Sequence, residues 1–581
     1  MSKKSKNIYL WIVVFFFAVV MCFLAPALSS RLNFVQNAIV QRTAPEANEQ
    51  SSRYANAPNK NINSYNKNQI DRLLGTNLSQ VTDWSTQMPF LDAFKSSRGW
   101  ITQNGTTWST EEGDRLDLDE NGWIKSLPTA EDGDRYTSVG TLMFRELPNG
   151  YPGGKYIVLY DGEGKLEYGF DAKKDEAASR AGRDVIEVTP SGAGIWLKIT
   201  EIDSNNYLRN IRVVPAAFET SYQSQIFNPD FLERVKDFKV FRLMEWMDIN
   251  SSDLSQWRDR PTLESATYSQ DGIPVEIMVE LANRTNTDPW FCMPHLANDE
   301  YIAQFAEYVK DHLEPERKVY VEYSNEVWNG KFEQHRWVAQ QAQAQGREHW
   351  MDWYSQRTTE IMQMWNRVFA EDKNRIVGVM AGQSANPWLL ERALSYVWSD
   401  KPLSNEEYGI DAIAIAPYFG HYLGSPEHQA QVSLWTTQVD GGLDSLFEEI
   451  TQGGALDNGP QGGALQQAYE QIKTHAALAQ KENLQLLAYE GGQHLAGVGL
   501  VANNDRITQL FIGANRDSRM GTIYRDYIQN WFALGGGLFV YFNDISQPSR
   551  WGSWGLLESV EQKSSPKYDA ALDALNRLAS N

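Results

Sequence analysis

The spacing of apolar positions changes along the chain and divides it into stretches of different character. From about residue 216 onward, short β-branched and aromatic runs alternate with longer stretches of helical period. The strand-like runs lie at 239–244, 289–293, 318–324, 376–380, 410–416, 484–489 and 537–542. Helical period covers 229–238, 274–282, 300–313, 333–369, 389–397, 464–481, 521–534 and 570–578, with Asn228 placed to cap the first of these. One more apolar run, at 73–78, stands upstream. Eight strands, each followed by a helix, predict an α/β chain folded as a (β/α)8 barrel. An open doubly wound sheet is the competing fold, but no Gly-rich phosphate turn follows any of the strands.

Between the first strand and its helix the period drops to two. Runs at 139–146, 155–160, 165–169, 184–188, 195–202 and 210–214 are separated by turns of the Asn-Gly, Gly-Gly and Asp-Gly kind. This predicts a β-sandwich-like domain over 104–215, inserted into a barrel made of 71–103 and 216–581. Trp108, Trp123 and Trp196 read as sandwich core rather than as a sugar platform. Asp117-Leu118-Asp119-Glu120-Asn121-Gly122 resembles the start of a calcium loop. Its twelfth position is Pro128, where a bidentate Glu is required, so it reads as a turn.

The N-terminus changes the picture of where the chain works. Lys3, Lys4 and Lys6 precede an unbroken apolar run from Ile8 to Leu24, then small residues to Ser30. Residues 1–30 read as a signal peptide or, with the tether spanning 8–28, as a membrane anchor. The expected location is therefore periplasmic or extracellular, either free or anchored to the cytoplasmic membrane. Residues 31–70 are rich in Asn, Gln, Ser and Ala and read as a flexible linker with a reach of ~35 Å. The cysteines are Cys22 and Cys292, so a mature exported chain would hold no intrachain disulfide. Lys and Arg number 53 against 74 Asp and Glu, and the formal charge of −21 argues against nucleic acid as a partner. A neutral polymer suits such a surface.

Function in a barrel collects where its strands end. The fourth and seventh strands close in ways that carry chemistry. Lys318-Val319-Tyr320-Val321-Glu322-Tyr323-Ser324-Asn325-Glu326-Val327-Trp328-Asn329 begins as a buried strand and ends on an Asn-Glu pair flanked by aromatics. Leu486-Leu487-Ala488-Tyr489-Glu490-Gly491-Gly492 is again an apolar run ending on Glu. A carboxylic acid can protonate a glycosidic oxygen, an amide can hold a ring hydroxyl, and an indole can stack on a pyranose. The other strand ends add Asn77, Arg242, Glu245, Trp246, His295, Gln383, Tyr418, His421, Asn543 and Asp544, with Trp551 and Trp554 just beyond. Glu245 and Asp248 read as loop charges, and Glu322, deeper in its strand, as a buried partner of Arg242. No cluster has metal-ligand spacing, and no Gly-x-Ser-x-Gly elbow points to an ester hydrolase.

Asn325-Glu326 after the fourth strand and Glu490 after the seventh resemble the clan A retaining glycoside hydrolases. Asp83-Trp84-Ser85-Thr86, Ser97-Arg98-Gly99-Trp100 and the 320–329 stretch further resemble a group of exported bacterial proteins labelled cellulose-binding. The clan resemblance implies Glu326 as acid/base, Glu490 as nucleophile, Asn325 on the sugar 2-hydroxyl and Arg242 as support for the nucleophile. His295, Trp328, Tyr418, His421, Trp246 and Trp551 are the remaining candidates for substrate contact. The chain departs from the clan pattern at Pro417-Tyr418-Phe419-Gly420-His421, where His-x-Tyr is usual, and at Asn543-Asp544, which stands where a Trp normally closes the eighth strand. The implied activity is a two-Glu double displacement on a β-linked, neutral polysaccharide, with no cofactor and with carboxyl groups about 5–5.5 Å apart. It would need Glu326 to hold a proton and Glu490 to stay ionised. Two alternatives are a non-catalytic polysaccharide-binding protein and an envelope accessory factor for exopolysaccharide assembly. Two carboxylates directed at one bond favour the enzyme.

Overall fold

The computed structural model describes residues 72–580, apart from 106, 129–134, 148–149 and 398–402. The signal or anchor (1–30) and the linker (31–70) lie outside the described residues. Among the described residues, no helix is long and apolar enough to cross a membrane.

Eight parallel strands close a barrel in chain order: Leu74–Asn77, Val240–Arg242, Asp288–Met293, Val319–Tyr323, Ile376–Ala381, Ala412–Ile415, Gln485–Ala488 and Phe539–Tyr541. The first strand pairs with both the second and the eighth, which closes the ring. Each strand matches one of the expected runs, and nearly all of its side chains are buried on both faces, as a helix-wrapped parallel sheet requires. The predicted helices form, and three more, Gln429–Trp435, Leu443–Thr451 and Asp505–Arg516, lie where no helix was expected. Pro229–Val235 starts behind Asn228, whose side chain accepts from the Asp230 amide. The long stretch expected at 333–369 is two helices, Glu333–Ala344 and Trp350–Val368. The second has its own start because His349 and Asp352 cap each other reciprocally.

Among the described residues, the chain between the first strand and Pro229–Val235 builds two antiparallel four-stranded sheets and a small two-stranded one, and contributes no strand to the barrel wall. One sheet runs Ile101–Gln103, Ser138–Met143, Ile195–Ile202, Gly164–Phe170; the other runs Arg209–Pro215, Gly154–Asp161, Arg183–Val188, Ala172–Lys174. Alternate residues Ile195, Leu197 and Ile199 of the first and Ile186, Val188 and Val213 of the second are buried. The join to the barrel is polar: the Asp92 carboxylate accepts from the amides of Phe94 and Val213, and Arg98 meets Asp83 at 2.8 Å. Trp123 is core, stacked on Phe94 at 5.4 Å. Trp108 is not; it is 43% exposed, because the segment that carries it lies outside the sheet. Asp119 accepts from the amides of Asn121 and Trp123, so the 117–122 stretch is a self-capped turn.

Candidate active site

At the mouth of the barrel one guanidinium organises the strand ends. Arg242, at the end of the second strand, has no solvent exposure. Its Nε and Nη2 donate to the two oxygens of Glu322 at 3.0 and 3.2 Å. Nη2 also donates to Asn325 Oδ1 at 2.9 Å, and Nη1 donates to Asn77 Oδ1 at 3.2 Å and Glu490 Oε2 at 3.4 Å. Four strands are tied together by one side chain. Trp290 Nε1 (2.9 Å) and Cys292 Sγ (3.4 Å) also donate to Glu322, so this buried ion pair is fully hydrogen-bonded. Arg242 therefore positions the site from beneath and touches no solvent-facing ligand.

The fourth strand ends in strained backbone. Ser324 and Glu326 have φ of 59° and 41°, left-handed values rare for residues with a Cβ. The reversal sends Asn325 inward to Arg242 and leaves Glu326 half-buried beside it. Asn325 Nδ2 donates to Asn250 Oδ1 at 3.0 Å, and Gln334 Nε2 donates to both Asn250 Oδ1 and the Asn325 carbonyl. These bonds use one of the two N–H groups of the Asn325 amide.

Glu326 Oε1 accepts from the Tyr489 hydroxyl at 3.0 Å, and its Oε2 accepts from Asn329 Nδ2 at 3.1 Å. Glu490 Oε1 accepts from the Tyr418 hydroxyl at 3.2 Å. Each carboxyl thus has a tyrosine donor, and Glu326's donor is the residue next to Glu490. Burial first, and then the charge of Glu326, push Glu490's carboxyl up; Arg242 and Tyr418 pull against this. A double displacement needs Glu490 ionised, and Arg242 and Tyr418 are the two donors that serve that need. Burial works against the charge, because Glu490 is the deeper of the two, 8% exposed against a half-buried Glu326.

Of the other candidates, Trp246 is a correction. It is 0% exposed, donates to the Ser79 carbonyl and packs on Phe90 and Phe231, so it is barrel core and cannot be a platform. Two charged residues close by in the chain, Glu245 and Asp248, made it look exposed. His295 is buried against Trp337, and burial lowers its imidazole to about 4. His421 is exposed and meets His494, Nδ1 to Nδ1 at 3.3 Å, rather than either carboxyl. Trp328 is half-buried, 6.1 Å from Tyr489 ring to ring. Trp551 lies under the Arg550 guanidinium at 4.5 Å. Trp554 stands nearer the pair, 5.8 Å from Tyr418 and 5.0 Å from His494.

Sequence reasoning missed Tyr489, Asn329, Asn250, Gln334 and His494. Tyr489 precedes a carboxylate at a strand end and could have been noticed; the others come from loops or from a helix. It also undervalued Glu245. Asn543 Nδ2 donates to Glu245 Oε2 at 3.5 Å, and Glu245's charge reaches Glu490. Burial above all pushes Glu245 up from 4.5 to about 7. The folded chain therefore holds a proton that the unfolded chain releases in this window, and the stability it contributes, present below 4.5, is lost as pH rises through about 7. Glu245→Gln is expected to flatten the fall in thermal midpoint between mildly acidic and mildly alkaline buffer. An unchanged slope contradicts the assignment.

No family model matches the sequence, and no curated protein matches it. The solved structures it resembles are glycoside hydrolases. One is a 4-O-α-L-rhamnosyl-β-D-glucuronidase from Fusarium oxysporum 12S, at 13% identity and TM-score 0.33 over 59% of this chain and 63% of that one, a little under two thirds of its length. Another is a GH5-4 broad specificity endoglucanase from Clostridium acetobutylicum, at 12% identity and TM-score 0.35, covering 59% of this chain and 89% of that one. A third is a modular endo-β-1,4-mannanase from Cellulomonas fimi, at 10% and 0.30, covering 59% and 65%. Likeness at this level bears on neither substrate nor mechanism.

Proposed function

We propose that the chain is a retaining glycoside hydrolase that cleaves β-linkages in a neutral polysaccharide, with Glu490 as nucleophile and Glu326 as acid/base. The observation that carries the reading is the shared support of the pair. Arg242 bonds Glu490 and Asn325 together, while Tyr489 ties Glu326 to the strand that bears Glu490. Two carboxyls in mutual electrostatic contact hold one proton between them over a wide pH range. Arg242 and Tyr418 both favour the charge on Glu490. The mechanism requires that proton to sit on Glu326, and the charge on Glu490, when a sugar is bound.

In the first step a Glu490 oxygen bonds to the anomeric carbon, the glycosidic C–O bond breaks, and Glu326 passes its proton to the departing oxygen. In the second, Glu326 takes a proton from water, the water oxygen bonds to the anomeric carbon, and Glu490 leaves as carboxylate. The remaining N–H of Asn325 is placed for the 2-hydroxyl, and Trp328 and Trp554 flank the two tyrosines as stacking faces. Removing the Tyr418 hydroxyl strips a donor from ionised Glu490, so Tyr418→Phe is expected to lower kcat by ~10- to 100-fold. The acidic limb of its pH profile is expected to move upward. A profile identical to that of the parent contradicts this role.

A reducing-end assay on a panel of β-glucans, mannans and xylans tests the proposal. The parent should release ends from at least one polymer, and Glu326→Gln from none. If the parent acts on none, the hydrolase reading fails, and binding of a polymer without cleavage would favour a polysaccharide-binding protein. The basic start and apolar run of residues 8–24 support export. Mass spectrometry of the native N-terminus separates a chain cleaved near Ala27–Ser29 from an anchored one, and a full-length cytoplasmic form contradicts export.

A further inference from the structure

The inserted sheets carry an exposed aromatic surface that the hydrolase reading does not use. Trp196 stands on the outer face of the sheet containing Ile195–Ile202, opposite Leu142 and Gly169 on the neighbouring strands. A Cβ on Gly169 would lie 2.6 Å from Trp196 Cε3, and one on Gly140 would lie 2.7 Å from its Nε1. The indole therefore lies flat across three strands, in space that two glycines leave open.

Two further rings meet it. Trp108 is 5.7 Å from Phe170 and 5.9 Å from Trp196, and Phe170 is 5.8 Å from Trp196, with interplanar angles of 25°, 39° and 28°. Trp108 and Phe170 are 43% and 53% exposed. Their placement is built rather than incidental. Gln103 Nε2 donates to the Trp108 carbonyl at 3.1 Å and fixes that segment. Register pairs Phe170 with the core residue Ile195, and strand alternation would send its ring inward. A φ of 58°, strained for a bulky residue, accompanies a ring that instead meets Trp108 and Trp196. The backbone thus carries strain to hold a large apolar ring in water.

The geometry points to a second carbohydrate-binding site on the inserted sheets, for an uncharged pyranose chain stacked on Trp108 and Phe170. Charge and area both favour this occupant. Among the described residues, the same sheet face carries Lys198 (5.5 Å from the Trp196 ring) and a Lys165–Glu167 pair at 3.0 Å, so both signs stand beside the rings. Three half-covered rings offer roughly 300 Å², far below the roughly 800 Å² per partner that a stable protein interface needs. A sugar's apolar C–H face matches such a patch, and its hydroxyls can reach the lysine and carboxylate at the rim. The site does not depend on the barrel's hydrolysing anything.

Native affinity electrophoresis of the full chain tests it, in gels containing hydroxyethylcellulose, glucomannan, xylan or a β-1,3-glucan. The Glu490→Gln background keeps the gel polymer intact. At least one polymer should retard the protein. Trp108→Ala and Phe170→Ala should each weaken that retardation by about tenfold, and Trp108→Tyr should largely restore it. Unaltered thermal midpoints show that the variants fold. Retardation that is unchanged in both Ala variants belongs to the barrel and overturns the site, and so does the absence of retardation by any polymer. A self-association that Trp108→Ala dissolves would instead assign the patch to a second copy of the chain. If the parent cleaves nothing while the platform still retards it, the hydrolase reading fails and this one stands.

Discussion

Glu490→Ala is expected to lower turnover of a cleavable polysaccharide by about 10⁴-fold or more, with polymer affinity changed only slightly. The asymmetry follows from where Glu490 sits. It lies at the floor of the site, with Arg242 beneath it and Tyr418 beside it. Its bond to the anomeric carbon exists only along the reaction, so its loss removes stabilisation of the transition state rather than of the bound sugar. Truncation also removes a carboxyl that burial holds against its charge, and the fold should tolerate the change. A loss confined to KM would mean that Glu490 binds the sugar without reacting with it.

Arg242→Met is expected to destabilise the fold by ~3–5 kcal/mol, the effect of breaking a buried ion pair from one side. Glu322 would be left with Trp290 and Cys292 as donors and no counter-charge, and Asn77, Asn325 and Glu490 would each lose a bond. Glu322 is already raised by burial, with Arg242 holding it back, so without Arg242 it should take up a proton. The loss measured by urea unfolding should therefore be smaller in acid, where that proton is easily bound, and larger in alkali. Arg242→Lys should recover only part, because one ammonium cannot fork Glu322 and still reach Asn325 and Glu490. A loss below about 1 kcal/mol would place the organising centre elsewhere.

The barrel was legible because its strands are short apolar runs at regular intervals, and period alone separates them from the helices. The two carboxylates were legible because strand ends are where the chain must turn polar. The shared support was only half visible. Glu322 and Arg242 could be paired from strand depth, but that Arg242 also grips Asn77, Asn325 and Glu490 is a matter of side-chain reach. Asn250 and Gln334 lie in a loop and a helix, where nothing in the local pattern marks an inward amide. Trp246 and Trp108 were misjudged in opposite directions. An indole close to charged residues in the chain can still point into a core, and one in a strand-rich region can still lie on its surface. How strongly burial opposes the charge on Glu490 was not legible, because depth in the barrel mouth, not residue type, sets it.

Azide rescue of the two Ala variants tests the assignment of roles most directly, using an activated aryl β-glycoside of the sugar that the polysaccharide panel identifies. In Glu490→Ala, azide can occupy the space of the missing nucleophile and attack the sugar once, giving the α-glycosyl azide. In Glu326→Ala, the glycosyl-enzyme still forms on Glu490 and azide displaces it from the other face, giving the β-glycosyl azide. Opposite anomers from the two variants, read by proton NMR, are the predicted result. The same anomer from both variants, or rescue of neither alongside an inverted product from the parent, would contradict a double displacement on Glu490.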